Sequence, residues 1–374
     1  MQTPAWRHGR RFALHFGIAL ALLSTHLSGQ NSSQTAAPSM DAEFIHGTVE
    51  SLITVVRREY VDPDVAIGVE KLMRQGLTEG RYKGVATPEE FATILTRDLF
   101  DGSHDQHLFV SVVPETAAGL SPQASVKAIR KESGHRSNFG IQRVEVLRGN
   151  VGFLNLTAFY HPEEARDAFF AAMRVVAHAD ALILDLRANG GGSPDMVALV
   201  ASYMFDRSGL ALFEVVPRSG RRVKRYRTKS IPVPERNGSR PLYVLTSGRT
   251  WSGGEGLAFL LQEHHRAEVI GETTAGAANP GRPYHLNARF DVNVPNGRIR
   301  TAVLGRNWEG AGVLPDVVTP ASQALHVAHA RALRRLLDLV PTGSRHEKLE
   351  HELRGLESQP SDDGGRHPSQ PQFK

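Results

Sequence analysis

Thr246–Gly256 reads TSGRTWSGGEG and follows the apolar run Leu242–Leu245, which has the composition of a buried strand. The next residues, Leu257–Leu261, are again apolar and typical of a helix. A serine at a sharp turn between a strand and a helix exposes its hydroxyl beside unpaired backbone N–H groups, and a nucleophile of acyl transfer needs both. Ser252 is therefore a candidate nucleophile, although serine also caps helices for structural reasons alone.

The composition is that of an ordinary globular protein. The chain has 374 residues, of which 40% are hydrophobic and 22% charged, enough for one large or two modest domains. Its net charge of +5 includes Arg7, Arg10 and Arg11, which lie in a segment that we expect to be removed. The remaining charge is too small and too dispersed to predict nucleic-acid binding. The one basic cluster, Arg218–Arg227, is more simply a solvated hairpin.

The N-terminus has the pattern of a secretory signal peptide. Arginines precede the apolar run Phe12–Leu23, and the small residues Ser24, Ser28 and Gly29 follow it. A helix needs about 20 apolar residues to span a bilayer, and this run is shorter. We therefore expect no stable membrane span after cleavage, and the alternative is an uncleaved anchor. The sequence contains no cysteine, which excludes disulfides, a thiol nucleophile and a lipid attached through cysteine. These features predict a periplasmic or secreted protein of a bacterial envelope.

Composition and periodicity divide the chain into five segments. Apolar residues at spacings of three and four predict helices from residue 41 onward, whereas apolar runs alternating with helical patterns farther on predict an α/β sheet covered by helices. The predicted segments are a signal peptide (1–29), a flexible leader (30–40), a helical N-terminal domain (41–105), an α/β core (106–340) and a disordered tail (341–374). Residues 114–138, within the core, are predicted to form a polar loop.

A run of three glycines follows the strand-like segment Ala181–Leu186. Asp185–Pro194 reads DLRANGGGSP and joins that strand to a predicted helix. Consecutive glycines allow the backbone to approach a ligand closely and to turn its N–H groups inward, as an oxyanion hole requires. The alternative, a phosphate-binding loop, lacks the lysine and the glycine spacing of such motifs.

Two histidines, His104 and His107, lie where the helical segment meets the first predicted strand. Histidine is the usual proton acceptor near neutral pH, so each of them is a candidate general base. The same pattern fits a zinc-binding pair or surface histidines without a role. No further cluster of ligands is evident in the sequence, and we predict no metal site.

A candidate acid, Glu309, lies in Asn307–Asp316, which reads NWEGAGVLPD. An acid between an aromatic residue and a glycine turn can orient a histidine or hold a water molecule. A single glutamate is more often a surface residue, so the residues alone leave both interpretations open.

Taken together, these segments resemble the tail-specific, or C-terminal processing, serine peptidase superfamily. They are most similar to the branch of bacterial proteins that resemble the interphotoreceptor retinoid-binding protein repeats and the tricorn protease core. The resemblance covers about Phe44 to Leu336. Its motifs match in order and spacing: Tyr60–Pro63, Asp105–Leu108, Asn138–Gly140, Asp185–Gly192, Thr246–Gly253, Gly271–Gly276 and Gly312–Asp316. It implies an α/β fold with a ClpP/crotonase-like spiral core of β-β-α units, preceded by a small helical domain.

The resemblance also implies a nucleophile and an oxyanion hole. Ser252 matches the nucleophile of the family, and the amides of Gly191 and Gly253 match the oxyanion hole. Many relatives use a lysine as base in the segment that corresponds to Ala275–Asn279, where this chain has no lysine. A serine–lysine dyad is therefore not expected.

The base and its partner follow the tricorn-like arrangement, in which a histidine comes from the upstream unit. His107 fits the Asp-x-His-Leu pattern of the similar branch and is preferred, whereas His104 resembles the histidine of a Ser-His pair and is the alternative. Glu309 matches the acid that precedes the Gly-Val-x-Pro-Asp motif. Glu255 also fits the family pattern and is expected to have a structural or supporting role.

The sequence thus predicts an exported serine peptidase that acts on peptides or proteins without a metal ion or an organic cofactor. Many relatives carry a PDZ domain, but the about 25 residues between Val113 and Asn138 are too few for one. Selection of substrate tails by such a module is therefore not expected. The alternatives are an apolar-ligand binding module, as in the retinoid carriers, or a small-molecule esterase on the same fold. The sequence does not determine the substrate or the oligomeric state.

Overall fold

The structure is a computed structural model and describes residues 40–114, 121, 123–124, 132–231 and 238–358. All of them belong to one unit, Pro38–Gly364. Three predicted segments lie outside the described residues: the signal peptide (1–29), the leader up to residue 39, and residues 359–374 of the tail.

The described chain begins with three helices: α1 (Ala42–Glu59), α2 (Pro63–Glu79) and α3 (Pro88–Ser103). Each helix follows a polar residue whose side chain accepts hydrogen bonds from the first N–H groups, as expected of N-caps: Asp41, Asp62 and Thr87. Their apolar faces share one core around four fully buried side chains: Leu52, Met73, Phe91 and Leu95.

Strands and further helices alternate in the rest of the described chain. The strands are β1 (Phe109–Val112), β2 (Ile141–Leu147), β3 (Val151–Leu156), β4 (Ala181–Asp185), β5 (Ala211–Pro217), β6 (Lys224–Arg227), β7 (Leu242–Thr246), β8 (Glu268–Gly271), β9 (Gly281–His285), β10 (Phe290–Pro295), β11 (Gly297–Thr301) and β12 (Val317–Val318). The helices are α4 (Pro162–Val175), α5 (Pro194–Met204), α6 (Gly253–Glu263), α7 (Ala324–Leu339) and α8 (Ser344–Glu357).

A six-stranded mixed sheet with the order β12-β8-β7-β4-β3-β2 forms the centre of the α/β region. Its strands pair in parallel except β2, which is antiparallel to β3. Along β4, Leu182 and Leu184 face α4, α5 and α6, whereas Ala181 and Ile183 face α7 and α8. Both faces are covered, which explains why β4 is a continuous apolar run. The predicted fold class, a helical region before an α/β core, is confirmed.

Two three-stranded sheets flank the large one, with the orders β1-β10-β9 and β11-β5-β6. The first sheet packs against the three N-terminal helices, because Phe290, Val292 and Val294 of β10 are buried in the same cluster as Phe91. The hydrophobic core of the helical unit therefore includes strands from the range that was predicted for the α/β core.

The prediction of a disordered tail from residue 341 is wrong for Ser344–Glu357, which form α8. Leu349 is buried, and Leu353 and Leu356 pack with it against α7. The spacing of these leucines places them on one face of a helix, but the many polar residues around them hid the pattern. The predicted loop of residues 114–138 also differs, since residues 132–136 are helical.

Within the part of the chain that the structure describes, no helix is both long and apolar enough to cross a membrane.

Candidate active site

Ser252 lies at the turn between β7 and the first residue of α6, as the sequence predicts. Its backbone has φ 53° and ψ −116°, a region that residues with a side chain rarely adopt. Its N–H donates to Glu255 Oε2 at 2.8 Å, and its carbonyl accepts from Gly256 N at 2.9 Å. A strained conformation at the start of a helix, held from both sides, is typical of functional sites.

His107 is the histidine that contacts the serine. Its Nε2 lies 2.9 Å from Ser252 Oγ, within hydrogen-bond distance. The residue belongs to the connection between α3 and β1, where Asp105 accepts from its N–H and Asn293 donates to its carbonyl. Burial lowers the pKa of the His107 imidazole to about 4. The ring is therefore neutral near pH 7 and able to accept a proton.

His104 does not reach the serine. It is the C-cap of α3, with a left-handed φ of 56°, and its exposed side chain lies against Phe100 at a ring-centroid distance of 5.9 Å. His107, three residues farther on, is buried. Among the described residues, no three His, Asp or Glu side chains form a cluster that could hold a metal ion.

The glycine run packs against the serine turn. A Cβ placed on Gly191 would lie 2.7 Å from Ser252 Cβ and 2.9 Å from Gly253 N, so only glycine fits there. Asn189, fully buried, fixes the loop by donating to Leu156 O and by accepting from Gly191 N at 2.8 Å. Of the two amides expected to form the oxyanion hole, Gly191 and Gly253, the N–H of Gly191 is therefore already used in a hydrogen bond to Asn189.

The adjacent amides of Gly192 and Gly253 are close to each other. A Cβ on Gly253 would lie 3.2 Å from Gly192 N. Within the described residues, neither N–H donates a hydrogen bond to a backbone carbonyl or a side chain. Gly192 has a φ of 134°, a backbone conformation that favours glycine. Gly192 rather than Gly191 therefore has the free donor beside Gly253.

Glu255 is fully buried below the serine, one helical turn along α6. Its carboxylate accepts four hydrogen bonds, from the N–H of Ser252, Gly276 and Ala277 and from the hydroxyl of Thr274, over distances of 2.6 to 2.9 Å. Burial raises the pKa of Glu255, although these hydrogen bonds act in the opposite direction. The residue ties the serine turn to the segment after β8, in line with a supporting role.

Glu309 lies beside the same segment. Its Oε2 accepts from Ala278 N at 2.6 Å and from Asn279 N at 2.9 Å, whereas its Oε1 is buried without a hydrogen-bond partner among the described residues. Burial, together with the charge of Asp105, raises the pKa of Glu309 to about 7. His107 Nδ1 is likewise buried and unpaired. The site thus holds one free acceptor and one free ring nitrogen.

The sequence reasoning missed three residues that build the site. Asp105 is buried and accepts from His107 N, from the Tyr60 hydroxyl at 3.1 Å and from Asn279 Nδ2 at 3.2 Å. The ring of Trp251 lies against the ring of His107, and Asn189 shapes the glycine loop. All three lie inside motifs that the sequence singled out, so their position next to the candidate residues was the only available signal.

The arrangement has the parts that acyl transfer requires. A hydroxyl lies in contact with a neutral imidazole, and two free backbone donors lie beside the hydroxyl. A hydroxyl activated by a base and facing fixed donors can attack a carbonyl and stabilise the resulting oxyanion.

Comparisons with known proteins point to one family. The profile described as "Peptidase family S41" matches residues 150–319, and the profile described as "N-terminal domain of Peptidase_S41 in eukaryotic IRBP" matches residues 42–138. The first match contains the serine and the glycine loop, and the second contains His107. The match covers both parts of the candidate site.

Two curated relatives and one solved structure are similar to this chain. The tricorn protease homolog of Saccharolobus solfataricus is 24% identical over 54% of this chain and 18% of its own length. The carboxy-terminal-processing protease of Bartonella bacilliformis is 26% identical over 46% of this chain and 39% of its own length. The chain thus spans less than half the length of these relatives. A lipoprotein from Streptococcus agalactiae is 17% identical with a TM-score of 0.50, over 81% of this chain and 99% of that chain, which shows the fold alone.

Proposed function

We propose that this chain, which belongs to peptidase family S41, is an exported serine peptidase that hydrolyses peptide bonds at a tricorn-like site of Ser252, His107 and Glu309. The observation that carries the proposal is the 2.9 Å contact between Ser252 Oγ and His107 Nε2 at a strained strand–helix turn. Membership of a peptidase family supports the same reaction. No metal ion or organic cofactor takes part in the proposed reaction.

The reaction begins with the attack of Ser252 Oγ on the substrate carbonyl. His107 Nε2 takes the hydroxyl proton and later donates it to the leaving amine. Water then attacks the acyl-enzyme with His107 again as base, and the release of the acid restores the serine. The low pKa of His107 supports this role, because the ring stays in its basic form at neutral pH.

The oxyanion forms next to the turn between Ser252 and Gly253. We expected the amides of Gly191 and Gly253 to hold it, but the N–H of Gly191 donates to Asn189. We therefore assign the oxyanion hole to the N–H groups of Gly192 and Gly253. Gly191 keeps a steric role, because a side chain there would collide with Ser252 Cβ.

Glu309 is proposed to orient or polarise the base or the hydrolytic water. Its Oε1 is buried and has no partner among the described residues, so it can accept one further hydrogen bond. A carboxylate there stabilises the imidazolium that forms during proton transfer. With a pKa of about 7, Glu309 gains this charge only as the pH rises through neutrality.

A carrier of apolar ligands would need a dry apolar cavity. Two cavities of about 390 and 410 Å³ have charged side chains in their walls, including Glu214 and Arg225 in one and Asp180 and Arg240 in the other, and neither includes Ser252. Polar groups converge on Ser252 instead. An esterase would use the same groups, so the substrate assay decides between the two hydrolases.

Export is proposed from the signal-like residues 1–29, and the proposed location is the periplasm or the exterior of a bacterial cell. The proposed partners are peptide or protein substrates.

The test compares the purified protein with its Ser252→Ala variant on a diverse peptide mixture, with the products read by mass spectrometry. Cleavage that depends on Ser252 supports the peptidase and reveals its sequence preference. Hydrolysis of small esters without peptide cleavage would replace the peptidase with the esterase. Equal cleavage by both proteins would overturn the role of Ser252.

A further inference from the structure

The indole of Trp251 packs against the imidazole of His107, with ring centroids 4.2 Å apart and planes tilted by 33°. We infer that Trp251 is a positioning residue for the base: it fixes the plane of the imidazole and stabilises the imidazolium that forms when His107 takes the proton of Ser252. The inference rests on the proposed function, since it concerns the base of the same reaction.

The hydrogen bonds that Asp105 and Asn293 make with His107 do not fix the plane of its imidazole ring. Asp105 and Asn293 bind only its backbone N–H and carbonyl. In a Ser-His-Asp triad, a carboxylate holds Nδ1 of the histidine. Here Nδ1 is buried and has no partner among the described residues. The oxygens of Asp105 instead accept from the His107 N–H, from Tyr60 and from Asn279.

Trp251 is itself held firmly enough to position a neighbour. Its N–H donates to Asn189 O and its carbonyl accepts from Gly254 N, both at 2.9 Å. Its indole Nε1 donates to Gln106 Oε1 at 3.2 Å, and Gln106 Nε2 donates to Ala275 O at 2.6 Å. Hydrogen bonds thus hold both the backbone and the indole ring of Trp251.

The four residues form two parallel links between the same two segments. Gln106 and His107 are neighbours in the chain, and so are Trp251 and Ser252. The bond from Trp251 to Gln106 therefore runs beside the bond between His107 and Ser252. Gln106 keeps the indole plane against the imidazole while the serine hydroxyl engages its edge.

An aromatic face attracts a cation more strongly than a neutral ring, so this contact strengthens when His107 becomes protonated. The stabilisation therefore appears in the transition state and not in the resting enzyme, which is the condition for acceleration. Phenylalanine at the position of Trp251 keeps an aromatic face, whereas leucine keeps the bulk and loses the π system.

The experiment measures the rate at which a fluorophosphonate modifies Ser252, for the wild type, Trp251→Phe and Trp251→Leu. The reagent reports activation of the serine and makes no use of a peptide subsite. We expect Trp251→Leu to slow the modification by about 10- to 30-fold and Trp251→Phe to retain most of the rate. The matched control is Phe100→Leu, which removes the aromatic ring next to the exposed His104 and leaves the rate unchanged.

Each outcome decides a different question. A wild-type protein without modification at Ser252 contradicts the proposed function and overturns the inference with it. Modification of Trp251→Leu at the wild-type rate, together with a raised KM for peptides, makes Trp251 a substrate contact and overturns the inference alone. If Trp251→Leu does not fold, Gln106→Leu at an exposed position replaces it. Loss of rate in Gln106→Leu supports the inference, and an unchanged rate contradicts it.

Discussion

Ser252 Oγ and His107 Nε2 lie 2.9 Å apart although 145 residues separate them. The serine begins a helix on the central sheet, and the histidine follows the last helix of the N-terminal unit. The two parts are also joined by Arg218, which donates to the carbonyls of Arg57 and Tyr60. The helical unit therefore supplies part of the candidate site, and the pair forms only when both parts have folded together.

Replacing His107 and replacing His104 are expected to have different effects. His107→Ala removes the base and should lower kcat/KM by about 10²- to 10⁴-fold, the usual contribution of a positioned general base. His104→Ala should stay within about twofold, because an exposed residue away from the reacting atoms contributes little. Steady-state kinetics on one identified peptide checks both variants. A larger loss in His104→Ala than in His107→Ala would reverse the assignment of the base.

The strained backbone at Ser252 predicts an unusual order of stability. Glycine normally destabilises a folded chain relative to alanine, but at φ 53° and ψ −116° it avoids the steric cost of a Cβ. Ser252→Gly should therefore be more stable than Ser252→Ala by about 1 kcal/mol. Both variants lack the hydroxyl, so the comparison isolates the backbone. Urea denaturation measures the difference, and the opposite order would show that the turn is unstrained.

Glu255 is expected to stabilise the folded protein as well as to hold the turn at Ser252 in place. Glu255→Gln replaces one acceptor oxygen by an NH₂ group, so that two of the four donors around the carboxylate lose their acceptor. The expected loss is about 2–5 kcal/mol of unfolding free energy. Glu163→Gln, at a side chain that is 83% exposed, is the control and should change stability by less than about 0.5 kcal/mol. A Glu255→Gln variant as stable as the control would contradict the buried contacts.

The pKa of Glu309 predicts the pH dependence of activity. If the carboxylate stabilises the imidazolium, kcat/KM of the wild type should rise as the pH increases through about 7. Glu309→Gln should be less active and should lose this rise, because no charge develops there. The pH profiles of both proteins between pH 5 and 8.5 provide the check. If kcat/KM of Glu309→Gln rose with pH in the same way, the pH dependence would belong to another titrating group.

The same group makes a signed prediction for stability. The pKa of Glu309 is about 7 in the folded protein and 4.5 ordinarily, so between these values the folded state holds the extra proton. The stability that this proton uptake contributes to the folded state is therefore fully present below pH 4.5 and is lost as the pH rises to 7. Across this window, the unfolding free energy of the wild type should fall by about 1–3 kcal/mol relative to that of Glu309→Gln. A difference in unfolding free energy that stays constant with pH would contradict the raised pKa.

The sequence predicted the local parts of the site better than the distant ones. Ser252 and the glycine loop follow apolar strands directly, so the order of apolar run, turn and helix was enough to single them out as candidates. The choice between His104 and His107 depended on the left-handed residue that ends α3 and on how the helices dock. Periodicity contains neither fact, and only the resemblance favoured His107.

Two differences between the sequence-based expectations and the structure also have physical reasons. The direction of an N–H group within a glycine run depends on the φ and ψ of the preceding residue, which glycine leaves free, so the sequence could not separate Gly191 from Gly192. The helix α8 was predicted to be disordered because few of its residues are apolar, although Leu349 is buried against α7. A small apolar face is enough when a neighbouring helix covers it.

The most direct test of the central claim is to trap the acyl-enzyme. The wild type is mixed with a peptide that it cleaves, quenched in acid within the first turnover and digested for mass spectrometry. The account predicts an acyl group on Ser252 in the wild type, a much slower appearance of it in His107→Ala and none in Ser252→Ala. Peptide cleavage that continues in Ser252→Ala, without any adduct in the wild type, would contradict the account.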